Sequence, residues 1–345
     1  MTAEEVIKKN KKRILFRADG NNEIGLGHVY RCLAIAERLA EQFDCFLAAS
    51  NPAPELKETI CGRVTLVDLK EYGNNEMEAK DIALSIVSSY QIDIITLDGY
   101  SFDTAYQLCI KNNCKAVLIS IDDNQPYHYL ADIVINHAGG VDAASISKEP
   151  YTKLFLGSDY LLLRKEFIEA STRKKEIAGI NSALICFGGS DPGDFTGKIV
   201  SCIANEASIS EITVIVGSAY NKIKNLEKIV NSYSHINIKT NLDAEAIVKL
   251  MERTQLAILP SSTISLEALS GNMVIITGLT AQNQSNIYNG LTREETVYGI
   301  GDFNNLSCTD LLAIIKEATL KFKNYIFLPK KKTADPVVDI YNLIK

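Results

Sequence analysis

Short apolar runs alternate with segments of helical periodicity along most of this chain, and the whole alternation occurs twice. In the first half we predict strands at RILFR (13–17), CFLAA (45–49), VTLVDL (64–69), DIITLD (93–98), KAVLISI (115–121) and DIVIN (132–136). In the second half we predict strands at ALICFGG (183–189), ITVIVG (212–217), INIKT (236–240), LAILP (256–260), MVIIT (273–277) and VYGIG (297–301). Near-continuous apolar strands separated by helices are typical of parallel sheets covered on both faces. The pattern predicts an α/β fold with two doubly wound, Rossmann-like parallel-sheet domains that face each other across a cleft.

A length of 345 residues is also typical of two domains. The segment RKEFIEASTRKKEIAGIN is highly charged and holds no strand-like run, so we predict a linker at 166–180. The predicted domains are then 13–165 and 181–345, after a charged N-terminal extension at 1–12. The last apolar segment, with Pro336 in its first turn, is predicted to be a helix that could pack back on the first domain.

Charge and cysteine usage restrict the partners and the compartment. A formal net charge of −6 gives no electrostatic reason to bind nucleic acid or an anionic bilayer, although helix N-termini can still hold a small phosphate ligand. The N-terminal MTAEEVIKKNKKR has no apolar stretch after its charges, and no run of about 18 apolar residues follows. The eight cysteines show no CxxC spacing. We therefore predict a cytoplasmic protein with reduced thiols, without disulfides, a zinc site or stable membrane insertion.

Ligands of doubly wound sheets bind beyond the carboxyl ends of the strands, so the loops there are the places to search. The first is RADGNNEIGLGHVYRCLAIAERL (17–39), where Gly25 and Gly27 allow close backbone approach and His28 begins a helix. The positive end of the helix dipole disfavours the charged imidazolium. A general base must be uncharged in order to accept a proton. The loop lacks the third glycine of a dinucleotide fingerprint, since Tyr30 stands there, and it lacks the GK[ST] of a P-loop. The alternative is a tight turn with a helix-capping histidine.

The second loop is LDGYSFD (97–103), which follows another predicted strand. Asp98 could orient an imidazole or a sugar hydroxyl, and Tyr100 could hydrogen-bond a sugar substituent. A local explanation of Asp98 is equally open, because Asp is a common N-cap of a following helix.

Two loops of the second domain are candidates for binding a nucleotide. Gly188, Gly189 and Ser190 follow an apolar strand, and we place them at a helix N-terminus that could bind phosphate. In PSSTISLEAL, Ser262 and Thr263 precede a helix whose Glu267 could accept both ribose hydroxyls, or could simply complement the helix dipole. Asn283 and Gln284 open a further helix and could reach a phosphate or a sugar.

Other kinds of catalytic site find no support. The four histidines lie far apart without HExxH-like spacing, and a GxSxG elbow is missing. We predict neither a metal site nor a cofactor.

These motifs together resemble the UDP-2,4-diacetamido-2,4,6-trideoxy-β-L-altropyranose hydrolases of pseudaminic acid biosynthesis. The resemblance is carried by RADGNNEIGLGHVYRCLAIAERL, LDGY, SIDD, LGSDYLLLRKEF, CFGGSDP and SSTISLEAL, in the family's order from residue 13 to about 290. It implies the two-domain fold called GT-B, similar to that of the UDP-GlcNAc transferase of lipid II synthesis. It also implies metal-independent hydrolysis at the anomeric carbon, with release of UDP.

The resemblance assigns individual roles. It makes His28 catalytic, Tyr100 and Asn283 substrate-binding, and Glu267 the ribose-binding acid. We add Arg31, from the same motif as His28, to the residues expected to contact substrate. Gly99 departs from the family, in which a histidine or another polar residue is frequent at this position.

The sequence therefore predicts a nucleotide-sugar hydrolase whose partners are a UDP-sugar and UDP. One alternative is an inverting glycosyltransferase with the same fold and an acceptor hydroxyl in place of water. Another is a protein that binds a sugar nucleotide without turning it over.

Overall fold

The computed structural model describes residues 11–21, 25–122, 127–217, 219–329 and 335–344. It divides into two units, the first made of Met1–Leu162 with Ala334–Lys345 and the second of Leu163–Thr333. Most of the predicted N-terminal extension lies outside the described residues, and Lys12 already begins the first strand. None of the described helices is long and apolar enough to cross a bilayer.

The first unit is built on a seven-stranded sheet in which every neighbouring pair is parallel. The spatial order is β3-β2-β1-β4-β5-β6-β7. The strands are β1 (Lys12–Ala18), β2 (Phe43–Ser50), β3 (Thr65–Leu69), β4 (Ile94–Asp98), β5 (Val117–Ile121), β6 (Ile133–Asn136) and β7 (Lys153–Leu156). Six of the seven coincide with predicted strands. The edge strand β7 was missed because it is only partly buried and its apolar run is only three residues long.

Helices cover both faces of this sheet. They are α1 (Gly27–Leu39), α2 (Pro54–Cys61), α3 (Asn75–Asp81), α4 (Val87–Tyr90) and α5 (Thr104–Asn113), with a π-helical segment at Ile82–Ile86 joining α3 to α4. Short 3₁₀ turns lie at Ala143–Ser145 and Ser158–Tyr160. Helix α1 buries most of its length, including Val29, Leu33 and Ala36, which explains its near-continuous apolar sequence.

The second unit repeats the architecture with a six-stranded parallel sheet in the order β11-β10-β9-β12-β13-β14. Its strands are β9 (Ser182–Cys186), β10 (Glu211–Val216), β11 (Ile236–Thr240), β12 (Leu256–Pro260), β13 (Val274–Leu279) and β14 (Val297–Asp302). Its helices are α6 (Lys165–Ser171), α7 (Phe195–Ile203), α8 (Ile223–Val230), α9 (Ala244–Arg253), α10 (Thr263–Ser270), α11 (Ser285–Leu291) and α12 (Cys308–Lys321), with 3₁₀ turns at Gln282–Gln284 and Phe303–Asn305. In both units the chain reverses its direction of winding beside the first strand, which confirms the predicted doubly wound class.

The prediction of a linker at 166–180 is wrong. This segment holds α6 and the strand β8 (Lys175–Ile177), which pairs antiparallel with β15 (Tyr325–Phe327). The segment is anchored by a few apolar side chains, Phe167, Ile177 and Ile180, which are buried in the second unit. The many charged residues between them obscure this pattern in the sequence. The segment therefore belongs to the second unit, which begins at Leu163.

The absence of disulfides was also a wrong prediction. Cys202 near the end of α7 and Cys308 at the start of α12 are joined by a disulfide. The two cysteines are 106 positions apart, and only the packing of their helices brings them together. The other six cysteines are free thiols.

The C-terminal helix α13 (Pro336–Asn342) belongs to the first unit. Val337, Ile340 and Tyr341 are buried in the same hydrophobic cluster as residues of β1 and α1. The Tyr341 hydroxyl lies 2.9 Å from Oγ1 of Thr96 on β4, and both residues are fully buried. At the start of the helix, Asp335 accepts hydrogen bonds from Arg38 of α1 and from the amides of Val337 and Val338. The predicted C-terminal domain, 181–345, is therefore too long at its end, because this helix belongs to the first unit.

We predict that Tyr341→Ala lowers the free energy of unfolding of the first unit by about 3–5 kcal/mol, as for other large aromatic truncations in cores. Tyr341→Phe should cost about 1–3 kcal/mol, because it leaves the buried Thr96 hydroxyl without this partner. Urea denaturation followed by circular dichroism measures both. The control is Leu343→Ala next to the helix, where the side chain is 64% exposed and the cost should stay within about 0.5 kcal/mol. Equal costs for Tyr341→Ala and Leu343→Ala would contradict the packing of α13.

Candidate functional site

The glycine-rich loop after β1 leads into α1 at the carboxyl end of the first sheet. Gly25 has a φ of +78°, a conformation that favours glycine, and its amide donates to the Asn21 carbonyl over 2.9 Å. Gly27 opens the helix, and a Cβ at this position would meet no described atom within 4 Å. Space beside Gly27 is what a ligand-binding loop needs, although residues 22–24 of the loop lie outside the described part of the chain.

His28 is brought to Asp98 by the register of the sheet. Strand β1 pairs with β4 so that Ala18 lies beside Asp98, and the loop after Ala18 returns α1 to the same edge. Nδ1 of His28 lies 2.8 Å from Oδ1 of Asp98, and both side chains are buried. An ionised carboxylate can only accept, so we infer that Nδ1 carries the proton and that Nε2 is the basic nitrogen. Of the three roles considered for Asp98, this contact matches the orientation of an imidazole, and the following helix is capped by Asp103 instead.

Arg31 is directed at Asp98, and the expectation that it contacts substrate stays a prediction. Its Nε donates to Oδ2 of Asp98 over 2.7 Å, and its Nη2 donates to Oδ1. The thiol of Cys32 adds a weak contact to Oδ2 at 3.7 Å. Burial alone would raise the pKa of Asp98, but the charge and hydrogen bonds of Arg31, together with His28, hold that pKa well below its ordinary value. Asp98 is therefore a permanently ionised carboxylate with both oxygens engaged.

Tyr100 lies on the exposed side of this group. Its ring makes an edge-to-face contact with the imidazole of His28, with 4.8 Å between the ring centroids, and the residue is 42% exposed. The predicted pairing of His28 with the LDGY loop is therefore present in the geometry. The Tyr100 ring restricts how a ligand can approach the imidazole.

His137 belongs to the same buried group and was missed. It follows β6, and its Nε2 lies 3.4 Å from Nη1 of Arg31 while its Nδ1 accepts from the Leu162 amide at 3.4 Å. One feature of the sequence does indicate His137: it directly follows the apolar run DIVIN, at the carboxyl edge of the sheet where the other candidate polar residues lie. An isolated histidine gave no reason to select it.

A buried ion pair under the loop was also missed. Arg17, 2% exposed at the end of β1, donates from Nε to Glu78 over 2.8 Å and from Nη1 to Asp19 over 2.6 Å. Tyr106 donates its hydroxyl to the same Glu78 oxygen at 2.7 Å. Asp19 also accepts the Ser50 amide, so the pair ties the start of the glycine-rich loop to β2. A charged residue that ends an otherwise apolar strand was the available signal.

Gly99, at which we expect the sequence to depart from the family that it resembles, has a steric explanation. A Cβ at this position would lie 2.9 Å from the ring of Phe102, and that ring lies under the Arg17 guanidinium at 5.2 Å. A larger residue here would displace Phe102 from Arg17. The absence of a side chain at Gly99 is thus coupled to the buried ion pair.

In the second unit, the Gly188–Ser190 turn is not the helix start that we expected. Helix α7 begins only at Phe195, and the amides of Phe195 and Thr196 already donate to Asp191 at 3.0 and 2.8 Å. A phosphate cannot use those two amides while Asp191 occupies them. Any phosphate contact of this loop must come from the turn itself, where Gly188 has a φ of +82° and both glycines are exposed.

The turn is held by a close backbone contact that the sequence did not suggest. A Cβ at Gly217, after β10, would lie 2.5 Å from the Cα and from the carbonyl oxygen of Gly189. Only glycine allows this approach, so Gly217 fixes the height of the Gly188–Ser190 turn above the sheet.

The loop after β12 is anchored by Ser261 and Ser265, whereas Ser262 and Thr263 stand at the helix start. Ser261 Oγ lies 2.9 Å from Thr277 Oγ1, and Ser265 donates to the Pro260 carbonyl at 2.7 Å, both fully buried. Ser262 occupies the N-cap position of α10 without a side-chain capping bond, and Thr263 is the first helical residue. The two predicted residues thus lie at a helix N-terminus, where the dipole favours an anion.

Glu267 is buried on α10 and paired with Arg164. Nε and Nη2 of Arg164 donate to Oε1 of Glu267 at 3.1 and 2.8 Å. Burial raises the pKa of the Glu267 carboxyl, and the neighbouring Arg164 acts against that shift. Oε2 has no hydrogen-bond partner among the described residues, so one oxygen of the carboxylate remains able to accept from a ligand.

The two residues predicted after β13 differ in their surroundings. Gln284 closes its own loop, with Oε1 accepting the Thr280 amide at 2.8 Å and Nε2 donating to Thr280 Oγ1 at 2.9 Å. Its side chain is therefore engaged within its own loop, and the expectation that it binds the nucleotide stays a prediction. Asn283 beside it is exposed. Within the described residues, no group of three or more His, Cys, Asp or Glu side chains is placed to ligate a metal ion.

No protein-family model matches the sequence. Among curated proteins, the chain is 25% identical over 263 residues to the UDP-2,4-diacetamido-2,4,6-trideoxy-β-L-altropyranose hydrolase of Campylobacter jejuni, covering 74% of this chain and 88% of that protein. It is 27% identical over 271 residues to an uncharacterized protein of Methanocaldococcus jannaschii, covering 74% of this chain but only 53% of the relative. The spore coat polysaccharide biosynthesis protein SpsG of Bacillus subtilis is 25% identical over 210 residues, covering 59% of this chain and 58% of SpsG. The chain thus spans about half the length of two of these relatives.

Solved structures show the fold. MurG of Acinetobacter baumannii superposes with a TM-score of 0.64 at 12% identity, covering 96% of this chain and 99% of MurG. A putative UDP-N-acetylglucosamine 2-epimerase of Listeria monocytogenes gives 0.59 at 13% identity, with 96% and 95% covered. Anabaena Alr3699/HepE, in complex with UDP and glucose, gives 0.56 at 12% identity, with 90% and 91% covered. The chain has the GT-B fold of these structures, and its sequence is similar to that of a UDP-sugar hydrolase.

Proposed function

We propose that this protein is a UDP-sugar hydrolase that cleaves UDP from a UDP-linked 2,4-diacetamido-2,4,6-trideoxyhexose by attack of water at the anomeric carbon. The observation that carries the proposal is the buried contact between His28 and Asp98, with 2.8 Å between Nδ1 and Oδ1, at the start of the helix after the glycine-rich loop. The similarity to the Campylobacter jejuni hydrolase supports the substrate class. This reaction would serve the biosynthesis of a surface polysaccharide or of the sugars attached to flagellin.

His28 acts as the general base in this proposal. Asp98 holds the Nδ1–H, so Nε2 accepts a proton from the attacking water. As that proton leaves, the water oxygen forms a bond to C1 of the sugar. The bond between C1 and the β-phosphate oxygen breaks at the same time, and its electron pair leaves with UDP. Attack from the face opposite UDP inverts the configuration at C1, and no metal or other cofactor enters the sequence.

The second unit provides the groups for the leaving UDP. Backbone amides of Gly188, Gly189 and Ser190 and the α10 N-terminus at Ser262 and Thr263 would stabilise the charge that develops on the diphosphate. Asp191 makes the α7 N-terminus unsuitable for this role, because its carboxylate already accepts the amides there. We therefore propose that the phosphates bind between the Gly188–Ser190 turn and the N-terminus of α10, and not at the N-terminus of α7.

The Glu267 carboxylate is proposed to recognise the ribose. Arg164 fixes Oε1, and Oε2 is left to accept a ribose hydroxyl. Tyr100 in the first unit and Asn283 in the second are the proposed contacts of the sugar substituents, as the resemblance implies, and Gly25 and Gly27 leave room for the sugar.

An inverting glycosyltransferase is the second candidate. It is favoured by the GT-B fold, which this chain shares with MurG and with HepE. The same His28 would then deprotonate an acceptor hydroxyl in place of water. The two activities differ only in the nucleophile, so the experiments below are chosen to identify it.

We predict that His28→Ala folds normally and lowers kcat about 10²–10⁴-fold, the usual contribution of a general base. The affinity for UDP should not change, because the UDP contacts are assigned to the second unit. Release of UDP from the UDP-sugar and calorimetry with UDP measure the two effects.

The matched control for this variant is His128→Ala. His128 contacts Ser147 and Glu149 at the surface, at 2.8 and 3.1 Å, and has no part in the proposed chemistry. It should keep full turnover. Near-wild-type turnover in His28→Ala would exclude His28 as the base.

We predict that Glu267→Ala weakens UDP binding by about 1.5–3 kcal/mol, the scale of hydrogen bonds to a charged group. The same variant should bind UDP and 2′,3′-dideoxy-UDP with equal affinity, whereas the wild-type protein should prefer UDP. Calorimetry with both ligands measures this difference. The control is Glu252→Ala in the same unit, where the carboxylate pairs with Arg173 at the surface and UDP affinity should not change. A full preference for UDP in Glu267→Ala would contradict the ribose assignment.

We predict that the wild-type protein releases UDP from its cognate UDP-sugar without any added acceptor. In ¹⁸O-water the label should appear at C1 of the free sugar and not in UDP, because His28 activates water toward carbon. NMR before mutarotation should show the anomer inverted relative to the substrate. Label in the β-phosphate would reject attack at C1, and release only after an acceptor is added would establish the glycosyltransferase instead.

A further inference from the structure

The pairing of Arg31 with Asp98, directly behind His28, has an electrostatic consequence for the imidazole. We propose that Arg31 is a positioning residue that keeps His28 in the uncharged form that a general base needs, by cancelling the charge of Asp98. This inference rests on the proposed hydrolase function, which makes His28 the base.

The geometry places the guanidinium against both partners. Arg31 lies one helical turn after His28 on α1, so the two side chains share a face of the helix. Its Nε is 2.7 Å from Oδ2 of Asp98, and its Nη2 donates to Oδ1, the same oxygen that contacts His28. Nη2 is also 3.2 Å from Nδ1 of His28. The positive charge of Arg31 therefore contacts the imidazole as directly as the negative charge of Asp98 does, at 3.2 Å against 2.8 Å.

The two charges act on His28 in opposite directions. A buried carboxylate next to an imidazole favours the imidazolium form and raises the histidine pKa. A guanidinium in contact with the imidazole disfavours the imidazolium and lowers that pKa, and arginine stays protonated at any pH of interest. With Asp98 ionised and Arg31 charged, the pair has no net charge. Asp98 can then orient Nδ1–H without converting His28 into a permanent cation.

Three further titratable side chains among the described residues contact this group. They are contributed by α1, by the loop after β4 and by the segment after β6, and they are Cys32, Tyr100 and His137. Burial raises the pKa of the Cys32 thiol, so it stays protonated. His137 accepts the Leu162 amide at Nδ1, which leaves at most one proton on that ring. Among the described residues contacting this group, Asp98 and Arg31 thus carry the formal charges.

The test is an NMR titration of the His28 imidazole in the intact protein, which needs no substrate. The chain has only 4 histidines, and the His28 signal is the one that disappears in His28→Gln. Arg31→Met should raise the His28 midpoint by about one unit or more, because Asp98 then acts alone. Asp98→Asn should lower the midpoint, because Arg31 then acts alone. The double variant should return toward the ordinary histidine value of about 6.5.

Turnover provides the second readout. In Arg31→Met the acidic limb of the kcat/KM profile should move to higher pH together with the NMR midpoint, because the base must be neutral. Activity lost at neutral pH should then recover partly in alkaline buffer. Arg31→Lys keeps the charge, so its His28 midpoint should stay within about half a unit of wild type even though the forked hydrogen bonds are lost.

Two comparisons distinguish the proposed effect on the His28 midpoint from an effect of misfolding. Arg38→Met removes an arginine from the same helix that is also paired with an aspartate, Asp335, and it should leave the His28 midpoint unchanged. If Arg31→Met does not fold because Asp98 is left buried without its cation, the comparison of Asp98→Asn with the double variant replaces it. In that pair, loss of Arg31 should raise the midpoint.

The inference is overturned if removal of Arg31 leaves the His28 midpoint unchanged or lowers it in both backgrounds. Failure of the hydrolase proposal gives a different result. In that case the midpoints shift as expected, but no UDP-sugar is cleaved and the acidic limb cannot be measured. The role of Arg31 on the imidazole would then stand without the assigned reaction.

Discussion

The carboxylate of Asp98 has no exposure to solvent, and the arrangement around it follows from that constraint. An ionised group removed from water is tolerated only where its charge is paired and its oxygens accept hydrogen bonds. Here the partners are His28 and Arg31, both from the first turns of α1. Helix α1 must therefore begin close to the end of β4, and the loop before it must turn back within a few residues of β1. The glycines of that loop provide the backbone freedom for this return.

The order of the strands makes this pairing available. In a doubly wound sheet the chain leaves the first strand on one side and returns to its other neighbour later, so the ends of β1 and β4 lie side by side. The same holds in the second unit for β9 and β12, where the Gly188–Ser190 turn and the Ser262 helix start follow the two strands. The equivalent positions carry different chemistry: an imidazole and a carboxylate in the first unit, backbone amides and a helix N-terminus in the second.

The sequence predicted these loops better than the directions of their side chains. The loops that hold His28, Asp98, Gly188 and Glu267 could be predicted because an apolar run and the strand end after it are both encoded by residues close together in the chain. The partners of those residues were not predictable in the same way. Arg31 could have pointed outward from α1, and Glu78 reaches Arg17 from 61 positions away only after α3 packs on the sheet.

Elements held by a few buried residues were missed for a related reason. The strand β8 and helix α6 were hidden by their charged, exposed residues, and β7 by its partial burial. The disulfide between Cys202 and Cys308 depends on the contact of two helices that no local pattern encodes. Asp191 illustrates a different error, in which the helix start was placed too early, because α7 begins five residues after Ser190.

Two of the buried carboxylates of this chain show how burial beside an arginine can produce different capacities. Asp98 and Glu267 are each paired with an arginine, Arg31 and Arg164, so neither leaves a net charge inside its unit. Asp98 uses both oxygens within the protein and can act only on the neighbour that it holds. Glu267 receives both hydrogen bonds of its arginine on one oxygen, and its other oxygen has no hydrogen-bond partner among the described residues. A carboxylate that is fully engaged can orient a catalytic group, whereas one that is half engaged can recognise a substrate.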